Sequence, residues 1–132
     1  IDFGISEILY REGLSLLAYS PLAFGHLSGK YVDNAQAKGR VTLFRGYAQR
    51  YTKPSVPAAC AVYANLARAH QLTPAQLALS FVMHRWCVAS TIIGATSMTQ
   101  LQENIAAYEV RLRDDVLMEI EKIHLRAPNP AP

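Results

Sequence analysis

The chain has 132 residues, 51% of them apolar, and 13 Lys and Arg against 10 Asp and Glu leave a net charge of +3. That fits one soluble globular unit of ordinary core content; no apolar run spans a bilayer, no signal-peptide pattern opens the chain, and the cations are too scattered for a nucleic-acid surface. The two cysteines, Cys60 and Cys87, match no metal spacing and make no disulfide framework, which points to a reducing, cytoplasmic setting.

Residues 5–12 (ISEILYRE) predict a short helix with Ile8, Leu9 and Glu12 near one face, and Gly13 is placed for the left-handed turn that ends helices. The apolar run Leu14-Ser15-Leu16-Leu17-Ala18-Tyr19 has no polar alternation, which suits a strand over 14–20 covered on both faces of a parallel sheet. Pro21 cannot donate to a ladder and biases Ser20 to an extended conformation, so the strand stops there. Gly25, Ser28, Gly29 and Lys30 follow as a loop of small residues ending in a cation. The loop after a strand's carboxyl end is where sheets and barrels bind ligands. Tyr19, at that end, suits either stacking on a flat ligand ring or a place in the core.

Residues 31–57 read as a long connector containing Gly39, Gly46, Pro54 and Pro57. Lys38, Arg40, Arg45, Arg50 and Lys53 alternate in it with Phe44, Tyr47 and Tyr51. Such a stretch is either a solvated, partly disordered loop or one that closes over an anionic ligand. Residues 58–70 predict a helix whose stripe is Ala59, Val62, Leu66 and Ala69. Thr73-Pro74-Ala75-Gln76 forms a capping box that starts a helix to about residue 85, through Leu77, Ala78, Phe81 and Val82, with Trp86 expected in the core.

The β-branched residues of 88–95 (VASTIIGA) predict a second strand ended by Gly94. Ser97-Met98-Thr99-Gln100 repeats the capping-box pattern and opens a helix through Leu101, Ile105 and Tyr108. Residues 114–124 predict a last helix with Val116, Ile120 and Ile123 on one stripe and charges complementing its dipole. The tail 128–132 is expected to be extended or frayed. Two buried strands cannot close a sheet. With Ile1 where an initiator Met would stand, the chain reads as one incomplete domain of a larger α/β fold.

The junction Gly94-Ala95-Thr96-Ser97 runs from a strand end into a helix N-terminus, where free backbone donors and the dipole attract an anion. Gln100, Glu103 and Asn104 share the helix face beyond it, and the last two offer an acceptor and a donor suited to an amino-purine edge. An ordinary capped helix with a polar face fits the same residues. His26, His70, His84 and His124 lie on four elements without a common metal spacing, and no local Ser/His/Asp, Cys/His or paired-carboxylate arrangement stands out.

Three segments together resemble the aldo-keto reductase superfamily. They are Ala18-Tyr19-Ser20-Pro21-Leu22-Ala23-Phe24-Gly25 with Leu27-Ser28-Gly29-Lys30-Tyr31; Leu72-Thr73-Pro74-Ala75-Gln76-Leu77-Ala78-Leu79; and Ile92-Ile93-Gly94-Ala95-Thr96 with Gln100-Leu101-Gln102-Glu103-Asn104-Ile105. The resemblance is strongest to the Tas-like reductases and the potassium-channel β-subunit branch. It implies a (β/α)8 TIM barrel of which this chain is the C-terminal half, supplying the last two strands and needing the N-terminal half as its partner. It implies reduction of a small-molecule aldehyde or ketone with NADP(H), with no nucleic-acid or membrane partner and no metal. By that similarity Tyr19 stacks on the nicotinamide, and Ser20, Pro21, Leu22 and Gly25 wrap the pyrophosphate. Lys30 and Arg40 hold phosphate, Gly94, Thr96 and Gln100 flank the adenosine-side phosphate and ribose, and Glu103 and Asn104 contact adenine. Better-known monomeric reductases carry Lys and Arg where this chain has Gly94 and Gln100, so Arg40 or Lys30 is the charge left for NADP(H). The family's catalytic Asp, Tyr, Lys and His belong to the N-terminal half, so none is assigned here and the chain alone is expected to be inactive. The alternative is a β-subunit-like protein that binds NADP(H) as a redox sensor with little turnover.

Overall fold

The computed structural model describes residues 4–131 except 35, 45 and 47. Arg45 and Tyr47 of the expected basic-aromatic loop, with Ile1 and the tail's Pro132, therefore lie outside the described residues. Helix α1 (Ile5–Arg11) leads through Gly13, at φ 61°, into strand β1 (Leu16–Tyr19). A 3-10 segment (Ala23–Ser28) and the short helices α2 (Lys30–Asp33) and α3 (Arg40–Leu43) follow. A second 3-10 turn (Gln49–Thr52) then enters helix α4 (Ser55–Ala69). Helix α5 (Pro74–Met83) precedes strand β2 (Val88–Ile92), and α6 (Met98–Ala106), a 3-10 turn (Ala107–Glu109) and α7 (Asp114–Arg126) complete the order.

The two strands pair in parallel, with Leu16 opposite Val88, Leu17 opposite Ser90, Ala18 opposite Thr91 and Tyr19 opposite Ile92. Because side chains alternate along a strand, Leu17, Tyr19, Ser90 and Ile92 share one face, and that face is exposed. The expectation of a strand covered on both faces is thus corrected: helices cover the Leu16 and Ala18 side only. Trp86 is corrected as well. It is 65% exposed and meets Tyr10 edge-on at 6.2 Å, because the chain turns between α5 and β2 before the sheet can cover it.

The core lies between helices. Ala67 of α4, Leu77 of α5 and Val116 and Ile120 of α7 form its centre, packed by Tyr63, Leu66, Leu72 and Phe81. The buried stripe of α4 is Val56, Ala59, Cys60, Ala64 and Ala67, turned from the expected one, since Val62 and Ala69 are exposed. The helix begins at Ser55 instead of 58, and its small residues let α5 and α7 approach. The α5 capping box forms as read: Gln76 N–H donates to Thr73 Oγ1 at 3.1 Å and Thr73 N–H to Gln76 Oε1 at 2.9 Å. Residues 31–57 contain short helical turns where a connector without periodicity was expected. The tail is tied down by Ser55 Oγ donating to the Pro130 carbonyl at 2.7 Å.

Leu77 is 3% exposed at the centre of this helical layer. In the full-length protein, Leu77→Ala is expected to lower unfolding free energy by about 2–5 kcal/mol in urea melts, and a loss below about 1 kcal/mol would place the core elsewhere.

Candidate functional site at the strand ends

Parallel pairing sends the chain out of both strands at the same end. Tyr19 sits beside Ile92, so the loops 20–29 and 93–97 leave the sheet as neighbours. Tyr19 is 72% exposed on the uncovered face, which decides against a core role within this chain.

The first loop is tightly wound. Ser20, Ala23 and Phe24 have φ of 55, 46 and 56°, and Gly25 and Gly29 have 90 and 83°. The extended conformation expected of Ser20 is therefore corrected. Pro21 disfavours the right-handed region for its predecessor, and Ser20 takes the left-handed one, its carbonyl accepting from Ala23 N–H at 2.9 Å. Three non-glycine residues in this region cost of order 1–3 kcal/mol each and concentrate where a backbone must present groups to a ligand. The turn is held by Gly25 N–H donating to the Leu22 carbonyl at 2.8 Å and Ser28 Oγ to the Gly25 carbonyl at 2.7 Å. Gly29 cannot be replaced without collision, since a Cβ there would lie 2.8 Å from Pro74 Cγ.

Lys30 opens α2 directly after this loop, and its ammonium lies over the Tyr31 ring, 4.7 Å from the centroid. It threads between two glycines. A Cβ on Gly25 would stand 3.1 Å from Nζ, and one on Gly39 would stand 2.5 Å from Nζ and 2.2 Å from Tyr31 Oη. Gly39 is also the N-cap of α3, whose first residue is Arg40, so Lys30 packs against the start of that helix. Thr42 fixes the turn, accepting from Gly39 N–H at 2.9 Å. Neither Lys30 nor Arg40 has a carboxylate partner among the described residues.

An aromatic stack that the sequence did not reveal braces the loop. His26 lies against Tyr31 at 4.9 Å and Tyr51 at 5.2 Å, Phe24 against Tyr51 at 5.4 Å, and Arg50 over Tyr51 at 4.9 Å. The periodicity of 31–57 carries no signal for it, because its members come from three separate turns. His26 Nε2 and Tyr31 Oη are buried without a hydrogen-bond partner among the described residues. Burial, and then the Lys30 ammonium, hold the His26 pKa below the usual imidazole range.

The second loop is more internally satisfied than its sequence implied. Gln100 Oε1 accepts from Thr96 N–H at 2.9 Å and from Thr96 Oγ1 at 3.0 Å, while Gln100 N–H donates to Ser97 Oγ at 3.3 Å. The expected box closes one residue early, on Thr96, and takes up the Thr96 donor expected to be free for an anion. Asn104 is 2% exposed, and its Nδ2 donates to the Gly94 carbonyl at 3.3 Å. Glu103 accepts from Thr73 Oγ1 at 2.6 Å. Gly94 itself faces open space: nothing lies within 4 Å of where its Cβ would be.

A cavity of about 720 Å³ lies elsewhere, between Leu16, Ala18 and Val88 of the strands and Tyr63, Leu77 and Phe81 of the helices. It reaches Tyr19, Ser20 and Pro21 but none of Gly94, Thr96, Gln100, Glu103 or Asn104. Cys60 also lines it, and burial pushes that thiol up, away from nucleophilic chemistry. No cluster of His, Cys, Asp and Glu able to hold a metal occurs among the described residues, and none of their helices is long and apolar enough to cross a membrane.

A model of the Aldo/keto reductase family matches residues 2–125. The chain belongs to that family. Among the curated relatives it matches, Protein tas of Escherichia coli K12 is 46% identical over 132 residues, covering 99% of this chain and 38% of that protein. An aldo-keto reductase of Babesia bovis is 34% identical over 98% of this chain and 48% of its own length. A putative voltage-gated potassium channel subunit beta of Schizosaccharomyces pombe is 32% identical over 84% of this chain and 34% of its own length. The chain thus spans less than half the length of these relatives.

A His26 held neutral in the fold takes up a proton on unfolding. Its contribution is complete above about pH 6.5 and is lost as pH falls below that value. Full-length protein is expected to lose stability as pH falls below about 6.5, and His26→Phe, which keeps the stack, to flatten that dependence. Identical pH profiles for the two proteins would show that His26 is not held neutral in the fold.

Proposed function

We propose that this chain is the C-terminal half of an NADP(H)-dependent aldo-keto reductase barrel, residues 1–132 forming one incomplete domain that binds most of the cofactor. The single observation that carries this reading is the parallel pairing that sets Tyr19 beside Ile92 and sends both site loops out at one end of the sheet. In a closed barrel the bare face of Leu17, Tyr19 and Ile92 turns inward, and the remaining strands, supplied by the N-terminal half, cover it. A full barrel takes at least about 200 residues, more than this chain supplies, and the chain spans 38% of Protein tas.

NADPH, when bound, supplies the hydride that reduces an aldehyde or ketone. This chain's residues bind and orient. Tyr19 offers its exposed ring to the nicotinamide, and Ser20, Pro21, Leu22 and Gly25 curl around the pyrophosphate. Lys30 and Arg40, unpaired by carboxylates among the described residues, neutralise phosphate. Gly94 leaves room for the adenosine side, flanked by Thr96 and Gln100. Asn104 serves the adenine end by holding the Gly94 carbonyl in place, and Glu103 offers the acceptor. The residues fit the cofactor: an exposed aromatic at the strand end, two cations without carboxylate partners among the described residues, and an open glycine after the second strand. The proton donor comes from the other half, which is why the 132 residues alone are inactive. Two unpaired cysteines suit a cytoplasmic location.

A sensor with little turnover is the second reading, favoured by the similarity to the putative potassium channel subunit beta. Both bind NADPH, and turnover of a simple aldehyde separates them. Titration of the full-length protein with NADPH is expected to enhance and shift cofactor fluorescence, and Lys30→Met with Arg40→Met to weaken NADPH about tenfold or more while sparing NADH. A flat titration at saturating NADPH defeats the proposal.

A further inference from the structure

We infer that Thr73 is a positioning residue that sets the Glu103 carboxylate for the amino group of adenine. The inference rests on the reading that the 94–104 junction receives the adenine end of NADPH. Thr73 is 30 residues from Glu103 in sequence, and its one hydroxyl serves two helices. A backbone N–H can only donate, so Gln76 N–H, 3.1 Å away, takes a lone pair of Thr73 Oγ1. An ionised carboxylate can only accept, so the hydroxyl proton points to Glu103 Oε1 at 2.6 Å, the short distance of a charge-assisted bond.

Two consequences follow for the site. Glu103 is pinned through one oxygen, and its other oxygen has no hydrogen bond among the described residues, which leaves an acceptor of fixed direction. The neighbouring Asn104 is pinned too, by its bond to the Gly94 carbonyl at 3.3 Å. Helix α6 is therefore tied on one side to the start of α5 and on the other to the loop after β2. An acceptor held in this way favours a purine with an amino donor at its 6-position over one with a carbonyl there.

The test measures binding of NADPH and of its deamino analogue, in which hypoxanthine replaces adenine, to full-length protein. Wild type is expected to prefer NADPH by about tenfold, and E103Q to lose most of that preference. Asp caps a helix as well as Thr does but cannot donate when ionised. T73D also sets a second carboxylate against Glu103, so it is expected to lower the melting temperature and to lose the preference by about three- to tenfold, with T73S restoring both. If T73D fails to fold, T73A against T73S makes the same comparison. Full preference in T73D or T73A, alongside its loss in E103Q, overturns the role of Thr73 alone. A wild type that ignores both nucleotides overturns the functional reading beneath it, and the inference falls with it.

Discussion

Hydrogen bonding between Leu16–Tyr19 and Val88–Ile92 in the parallel sense is the constraint from which the rest of the arrangement follows. Parallel strands need a long crossover, and here about 70 residues make it, carrying α4 and α5 onto one side of the pair. The same crossover returns the chain so that both strands end together. Had the two strands run antiparallel, Tyr19 and Gly94 would lie at opposite ends of the sheet, and no single ligand could touch both loops.

What the strands aim, the loops shape. The first loop stores backbone strain at Ser20, Ala23 and Phe24 and is held by an aromatic stack from two later turns. That bracing lets Lys30 pass between Gly25 and Gly39, where a Cβ would crowd it, and so sets it against the turn that opens α3. The second loop is quieter. Gln100 closes on Thr96 and Asn104 on Gly94, so its polar residues hold shape first and leave only part of their capacity for a partner. One side of the site is thus cationic and strained, the other held mainly by its own hydrogen bonds.

Much of the fold was legible locally. Thr73 and Gln76 sit three apart before an apolar run, and the capping box forms between them. The stripe of Val116, Ile120 and Ile123 buries as its spacing implies. Errors arose where packing depends on distant partners. The stripe of α4 turned because Ala64 and Ala67, neutral in a periodicity count, are the residues small enough for close helix contact. Trp86 lies outside because the chain turns between α5 and β2 before the sheet can cover it. The bare faces of Leu17 and Tyr19 have the same origin: two strands with helices on one side leave the other face open.

By itself the sequence determined the kinds of element, the glycines and prolines that punctuate them, and family membership, since these depend on residues near one another along the chain. Only the tertiary structure decided that Lys30 meets Gly39, that His26 stacks on Tyr51, and that Thr73 reaches Glu103. Each of those contacts joins residues well separated in sequence, and their distances are set by how helices pack on a two-stranded sheet. No local propensity encodes that.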